Sequence, residues 1–292
     1  MTLRPINPGA EAHLGVRRAV PHIGAITLRD YCGTDAAISR AARVSYGRED
    51  ADRGADADAK LINFLVRHGH TSPLEMAELV FSIEAPIFVA RQWLRHRTAS
   101  VNERSLRYTE PSADAEIMPA EGLGDLCADP GPGASKQGRG APVGRQVIEA
   151  ASVDEAFRRT AHAYRGLRAI GVSREQARSV LPLATMTSFV WKVDLHNLLH
   201  FLRLRCAPDA QRETRLLAEQ VAMVVADAFP LTWSAWVEHV RDAPRLSASA
   251  WLALAGCLDP DALAGALATL PERERRETMA MIAAAWAAKG GV

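Results

Sequence analysis

Residues 91–107, RQWLRHRTASVNERSLR, set five arginines (Arg91, Arg95, Arg97, Arg104, Arg107) against a single acid, Glu103. A guanidinium presents its donors in a planar fork that meets phosphate or carboxylate oxygens two at a time. His96, Ser100, Asn102 and Ser105 add short donors able to read a base or a ring. On composition alone an arginine-rich helix end is more often a solvated face. Here Trp93 and Leu94 imply partial burial, and residues 98–105 lack the apolar period of a surface helix. Buried cations need anionic partners, and one acid cannot serve five. The chain carries neither Gly-x-Gly-x-x-Gly nor a Walker-type loop, so phosphates bound here must be held by side chains.

A second cluster lies at residues 194–205, DLHNLLHFLRLR. Helical spacing places Asn197, Phe201 and Arg205 on one stripe and His196, His200 and Leu204 on the next. Taken singly, these histidines read as surface residues and Arg205 as a salt-bridge partner. The four cysteines, Cys32, Cys127, Cys206 and Cys257, form no Cys-x-x-Cys pair, which fits a reducing cytosol and excludes a redox dithiol. Cys206 follows Arg205 at the tail of an apolar helix with no adjacent base, so it reads as core. Ser105 has no base beside it in sequence and reads as a binding residue. A zinc centre from His68, His70 and His96 is disfavoured by the two-residue spacing of the first pair at a helix end, and no metal is expected.

The elements that must position these groups form an irregular series. A strand is expected at residues 26–31, with helices at 35–43 and 59–68; Gly69 is placed to end the latter. Residues 78–84 alternate as a strand, and Pro86 suits the first turn of a helix over 87–96. Residues 125–143, with Asp-Pro-Gly-Pro-Gly and Gly-Arg-Gly, read as a long loop. A helix at 153–170 follows, then one capped by Ser173 that stops before Pro182, and a strand at 185–193. Asp194 is the expected N-cap of a helix reaching Cys206. A long amphipathic helix at 210–229 and a shorter one at 231–240 follow. No regular βαβ series appears, so the fold class expected is α+β: a mainly antiparallel sheet flanked by helices. The expected organisation is a loose leader over 1–21, a main domain over 22–242 and an Ala- and Leu-rich helical appendage over 243–292.

The chain has 292 residues, 48% hydrophobic and 24% charged, with a formal net charge of +1. That composition describes a globular protein and excludes a strongly basic coat for nucleic acid. The N-terminus lacks the apolar core of a signal peptide, and residues 250–270 are interrupted by Asp259, Pro260 and Asp261, so no membrane span is expected.

Arg95-His96-Arg97, followed after seven residues by Ser105, resembles the signature of the flavin-dependent thymidylate synthases (ThyX), and the whole run RHRTASVNERSLRY is similar to that family. AARVSYG (41–47), HGHTSP (68–73), APIFVARQW (85–93), ARSVLP (177–182) and DLHNLLHFLRLR (194–205) followed by Ala210-Gln211 resemble further family blocks in the expected order. The likeness covers roughly residues 22–240.

The resemblance implies methylation of dUMP to dTMP, with methylenetetrahydrofolate as carbon donor and NADPH as reductant through FAD. It implies a cytoplasmic homotetramer whose sites are shared between subunits. Carried over by position, Arg95, His96 and Arg97 contact FAD, with Ser72 and Glu103 nearby. Asp194, Leu195, His196 and His200 add flavin contacts from a neighbouring subunit. Gln92, Trp93, Leu94 and Arg95, with Glu103, Arg104, Ser105, Leu106 and Arg107, form the dUMP pocket. Arg178 completes it from another chain, and Arg205 lies against the uracil ring as the catalytic residue. His70 is the candidate to stack on folate or nicotinamide. The sequence departs from the family pattern at Met76 and Asp209, where His is common, and at Asp194 and His200, where Asn is. Two rival readings remain at this level: a flavoprotein that transfers hydride but no methyl group, and an RNA-binding module, for which Trp93 and Tyr108 are thin stacking support.

Overall fold

The computed structural model describes residues 5–48, 53–110, 117–123, 127–129, 140–143 and 153–290. It divides into two compact units, Met1–Arg241 and Asp242–Val292.

The first unit is built on a five-stranded antiparallel sheet in the order β1-β2-β3-β5-β4. The strands are β1 (Arg17–Val20), β2 (Gly24–Cys32), β3 (Glu78–Pro86), β4 (Ser100–Glu103) and β5 (Met186–Asp194). With the helices around it, this is the α+β architecture expected. β3 and β5 alternate strictly. Leu79, Phe81, Ile83 and Ala85 on one strand, and Thr187, Phe189, Trp191 and Val193 on the other, are buried on a common face. Val190 and Lys192 point to the opposite, exposed face. That is the pattern of an antiparallel sheet with one face on the core.

Residues 5–21, expected as a loose leader, carry structure. α1 (Pro8–Glu11) has Pro8 in its first turn and the Asn7 side chain as N-cap, accepting from the Ala10 N–H. Asn7 Nδ2 also donates to the Ala228 carbonyl at 2.8 Å. A Cβ on Gly9 would fall 1.8 Å from the Asp227 carbonyl oxygen, so only glycine admits this approach. β1 then pairs with β2 along its whole length.

α2 (Asp35–Arg43) and α3 (Ala55–Arg67) follow; α3 starts four residues earlier than the pattern suggested and ends at Gly69, whose φ is +68°. Pro86 is the last residue of β3 and the N-cap of α4 (Ile87–Trp93), so the strand runs two residues further and the helix stops three earlier than expected. α5 (Val153–Ala169) and the one-turn α6 (Arg174–Ala177), capped by Ser173, lead through a tight turn (Arg178–Val180) to β5. α7 (Leu195–Arg205), α8 (Arg212–Ala228) and α9 (Pro230–Trp236) close the unit, α9 running into a π-helical turn, Val237–Arg241. Asp35 caps α9 from a distance: its carboxylate accepts from the Leu231 and Thr232 N–H groups and the Thr232 hydroxyl. Most of the expected loop 125–143 lies outside the described residues; within them, Cys127 bridges Pro142.

The second unit holds α10 (Ala248–Ala255), α11 (Pro260–Leu267) and α12 (Glu272–Gly290). The Trp286 indole N–H donates to the Ala255 carbonyl at 2.7 Å, tying α12 to α10. Among the described residues no helix is long and apolar enough to cross a membrane.

Candidate active site

α4, β4 and α7 carry the residues that matter, and the β3–β5 pair aims all three. β3 ends directly in α4, and β5 ends directly in α7 at Asp194. The Asp194 carboxylate accepts from the Asn197 N–H at 2.9 Å and the Asn197 side-chain amide at 2.7 Å. This is the N-cap the sequence announced, and a carboxylate performs it as well as the amide often found at this position. The Leu195 N–H bonds to the Ala77 carbonyl at 2.8 Å, drawing the 70–77 segment to the start of α7.

An aromatic cluster supports the site from below. Trp93 is fully buried, its ring 4.5 Å from Phe201, 5.3 Å from Trp191 and 6.3 Å from Phe189. Leu195 is fully buried as well. Both were expected to touch ligand. Their side chains face the core, so any part they take in binding is through backbone.

His96 sits at the junction. Its ring lies 5.4 Å from that of His200 and 5.6 Å from Phe201. Nε2 meets the Thr98 hydroxyl at 2.9 Å. Burial holds the His96 pKa below its ordinary value, and the His200 and Arg205 charges push the same way, against a backbone contact from Asn197 and the Asp194 carboxylate. The ring is therefore neutral at neutral pH. Arg95 and Arg97, on either side, are exposed, and among the described residues neither has an acidic partner.

Arg205, at the end of α7, donates from a terminal nitrogen to the Gln92 carbonyl at 3.0 Å. That acceptor lies in the last turn of α4, where a cation is favoured. Its Nε is buried without a partner among the described residues, and burial lowers its pKa. Among arginines such a shift leaves the group charged. Gln92 and Arg205 open together onto a cleft of about 740 Å³.

β4 extends the site along the sheet edge. The alternation rules did not reveal it, because all four residues are exposed. Glu103 pairs with Phe189 in register and accepts a hydrogen bond from Thr187 at 2.7 Å. Arg104 donates to the Met186 carbonyl at 3.0 Å. Arg107, expected as a phosphate clamp, donates to Glu175 at 3.1 Å, both side chains being about half exposed. Glu110 accepts from Arg168 and Arg174. These pairs lay the 104–110 segment against residues 168–175, just ahead of the half-buried Arg178. Ser105 accepts from the Arg107 N–H, and Leu106 is half-buried beside it. His196 is half-buried on the first turn of α7.

The structure thus brings Gln92, His96, His200 and Arg205 together and sets Glu103, Arg104 and Arg107 along β4 and its exit. His70 and Ser72 lie exposed on the turn after α3; His70 is 5.5 Å from Phe64, and among the described residues no contact joins either to Arg95–Arg97. Thr98, Thr187 and Glu175 hold site residues but were not picked out from sequence, and nothing local to them announces the role. A buried neutral imidazole between the exposed guanidiniums of Arg95 and Arg97, which have no acidic partner among the described residues, fits ligands that carry phosphates and planar rings.

The fold is α+β, and the class of protein it defines carries a site whose side chains could take anionic, ring-bearing ligands. Residues 27–231 match the model of the thymidylate synthase complementing protein family. The chain is 45% identical over 255 residues to the flavin-dependent thymidylate synthase of Thermus thermophilus, covering 85% of this chain and 88% of that one. It is 38% identical over 287 residues to the corresponding protein of Ehrlichia ruminantium, covering 97% and 94%. The structure is similar to that of the UMP/dUMP methylase PolB from Streptomyces cacaoi bound with 5-Br dUMP. Here the TM-score is 0.67 and the identity 32%, over 78% of this chain and 99% of that one. The chain belongs to the flavin-dependent thymidylate synthase family.

Proposed function

We propose that the protein methylates dUMP to dTMP, taking the carbon from methylenetetrahydrofolate and the reducing equivalents from NADPH through FAD. Relatives named flavin-dependent thymidylate synthase and a structural neighbour bound to 5-Br dUMP support the reaction class. The observation that carries it in this chain is Arg205: a permanent cation lining the cleft, anchored to the Gln92 carbonyl and with its buried Nε unsatisfied among the described residues.

FAD, when bound, supplies reversible hydride transfer. Arg95 and Arg97 would meet its phosphates, and His96, His200, Asp194 and His196 would line its ring, with Ser72 and Glu103 nearby. Gln92 and Arg205 would face the pyrimidine of dUMP, where Arg205 stabilises the negative charge that makes C5 nucleophilic. Arg104, Ser105 and Arg107 would hold the ribose phosphate, and Arg107 must leave Glu175 to do so. Arg178 would complete the phosphate site, and His70 would stack on folate or nicotinamide. The protein would be a cytoplasmic homotetramer; that no contact among the described residues joins His70 or Ser72 to Arg95–Arg97 supports sites shared between its subunits.

The test is direct. Purified protein should show a flavin absorption spectrum, or acquire one on adding FAD. It should then release tritium from C5-labelled dUMP when NADPH and methylenetetrahydrofolate are supplied. Flavin reduction by NADPH without tritium release would replace this reading with a hydride-transferring flavoprotein, and a protein that never takes up FAD would overturn it altogether.

A further inference from the structure

α7 ends at Arg205 and α8 begins at Arg212, and the connection between them walls the 740 Å³ cleft. Four guanidiniums line it, from Arg203, Arg205, Arg212 and Arg215, against one carboxylate, Asp209. Three of them donate to backbone carbonyls. Arg203 reaches His200 Nδ1 at 3.3 Å, Arg205 the Gln92 carbonyl and Arg215 the Pro208 carbonyl at 3.0 Å, and Arg212 the Gly122 carbonyl at 3.2 Å. The carboxylates of Glu213 and Glu219 stand 3.7 Å from Arg212 and Arg215, beyond hydrogen-bonding distance. These two ion pairs offset part of the charge in the cleft, and among the described residues the buried Arg205 Nε has no acceptor.

α8 adds to this field. It is 17 residues long, with Glu213 in its first turn; among the described residues no side chain caps its N-terminus, and Gln211 and Arg212 at that end line the cleft. The first N–H groups of an uncapped helix and its positive pole both favour an anion. The cleft also has a direction. Gln92 and Arg205 mark the pyrimidine end, and Arg212 and Arg215 lie past the turn. On the functional reading above, a ligand filling it would set a reacting head by Gln92 and Arg205 and an anionic tail by Arg212 and Arg215.

We propose that this cleft seats the glutamyl tail of the folate carbon donor, with Arg212 and Arg215 binding its carboxylates. The proposal rests on the functional reading above. The chemistry it needs, oxygen anions on a ring-bearing chain, is shared by the 2′-phosphate of NADPH, so the experiment must separate the two.

Steady-state constants are compared for the unmodified protein and for Arg212→Gln, Arg215→Gln and the double variant. The carbon donors are methylenetetrahydrofolate with one or three glutamates and methylenetetrahydropteroate, which has none; the reductants are NADPH and NADH. Each single variant should raise KM for the glutamylated donors about tenfold, the cost of one charge-assisted contact. KM for the pteroate donor and for dUMP should stay within about twofold. Arg212→Lys and Arg215→Lys should recover most of the loss, which a merely unfolded site would not. An equal rise for pteroate and glutamylated donors would refute the tail assignment. A rise for NADPH but not NADH would transfer the cleft to the nucleotide phosphate. Should the unmodified protein release no tritium with any donor, the functional reading fails. Calorimetric binding of a γ-linked triglutamate peptide, present in the unmodified protein and lost in the double variant, still decides the cleft.

Discussion

Replacing Arg205 by methionine keeps an unbranched stem of similar bulk and removes the guanidinium. Two quantities change. The first is structural: one hydrogen bond to the Gln92 carbonyl at 3.0 Å is lost from a half-buried position. An interaction of that kind contributes about 1 kcal/mol, and in a domain of this size that lowers the melting temperature by roughly 2–4 °C. The protein remains folded at assay temperature. The second is catalytic: the positive charge facing the pyrimidine disappears. Loss of one preorganised donor to a developing anion costs about 2.7–4 kcal/mol, or about 10²–10³ in turnover. The assay is tritium release from C5-labelled dUMP, normalised to bound flavin measured by absorbance. Arg205→Met should keep its flavin and lose turnover by that factor. Arg205→Lys should fall between, because a point charge survives without the planar fork. If Arg205→Met turns over within about threefold of the parent while holding a full complement of flavin, the charge is not what the reaction uses.

Three further outcomes follow from the geometry. Asp194→Ala removes the N-cap of α7 and should lower stability by about 1 kcal/mol, seen as a drop of roughly 2–4 °C in thermal unfolding; Asp194→Asn should restore it. The lowered His96 pKa means that the unfolded chain binds a proton at a pH where the folded one does not. Stability present above the ordinary histidine range should therefore fall as pH drops through it and on toward the folded-state value, and His96→Gln should flatten that part of the urea-midpoint profile between about pH 7 and 5. Burial pushes the Cys206 thiol up to about 12, so in iodoacetamide labelling near pH 8 the exposed Cys32 and Cys257 should be modified well before it; early labelling of Cys206 would contradict its burial.

How much of this could be read beforehand depended on whether the controlling interaction was local. α7 was legible because Asp194 and Asn197 are three residues apart and the apolar spacing behind them is helical. β3 and β5 were legible because one face of each is buried and alternation records that. β4 was not, because an edge strand exposed on both faces has no reason to alternate; its existence is decided by the free edge of β5 about ninety positions along the chain. The N-terminal segment held a readable signal, Asn7 before Pro8, but its anchor on Ala228 is tertiary. The chemical identity of the site residues came through, and their orientations did not. Trp93 and Leu195 sit within the motifs and turn inward, and Arg107 meets Glu175 across 68 positions. Helix phase and distant partners fixed these, and a motif is silent about both.

The packing of Trp93, Trp191 and Phe201 under His96 has an optical consequence. Two of the chain's six tryptophans pack on Phe201, whose ring in turn lies against His96, a residue expected to cradle an isoalloxazine. Indole emission overlaps flavin absorption, so their fluorescence should be quenched as the site fills. Side chains buried in the core would thus report its arrival, with no label attached and no turnover required.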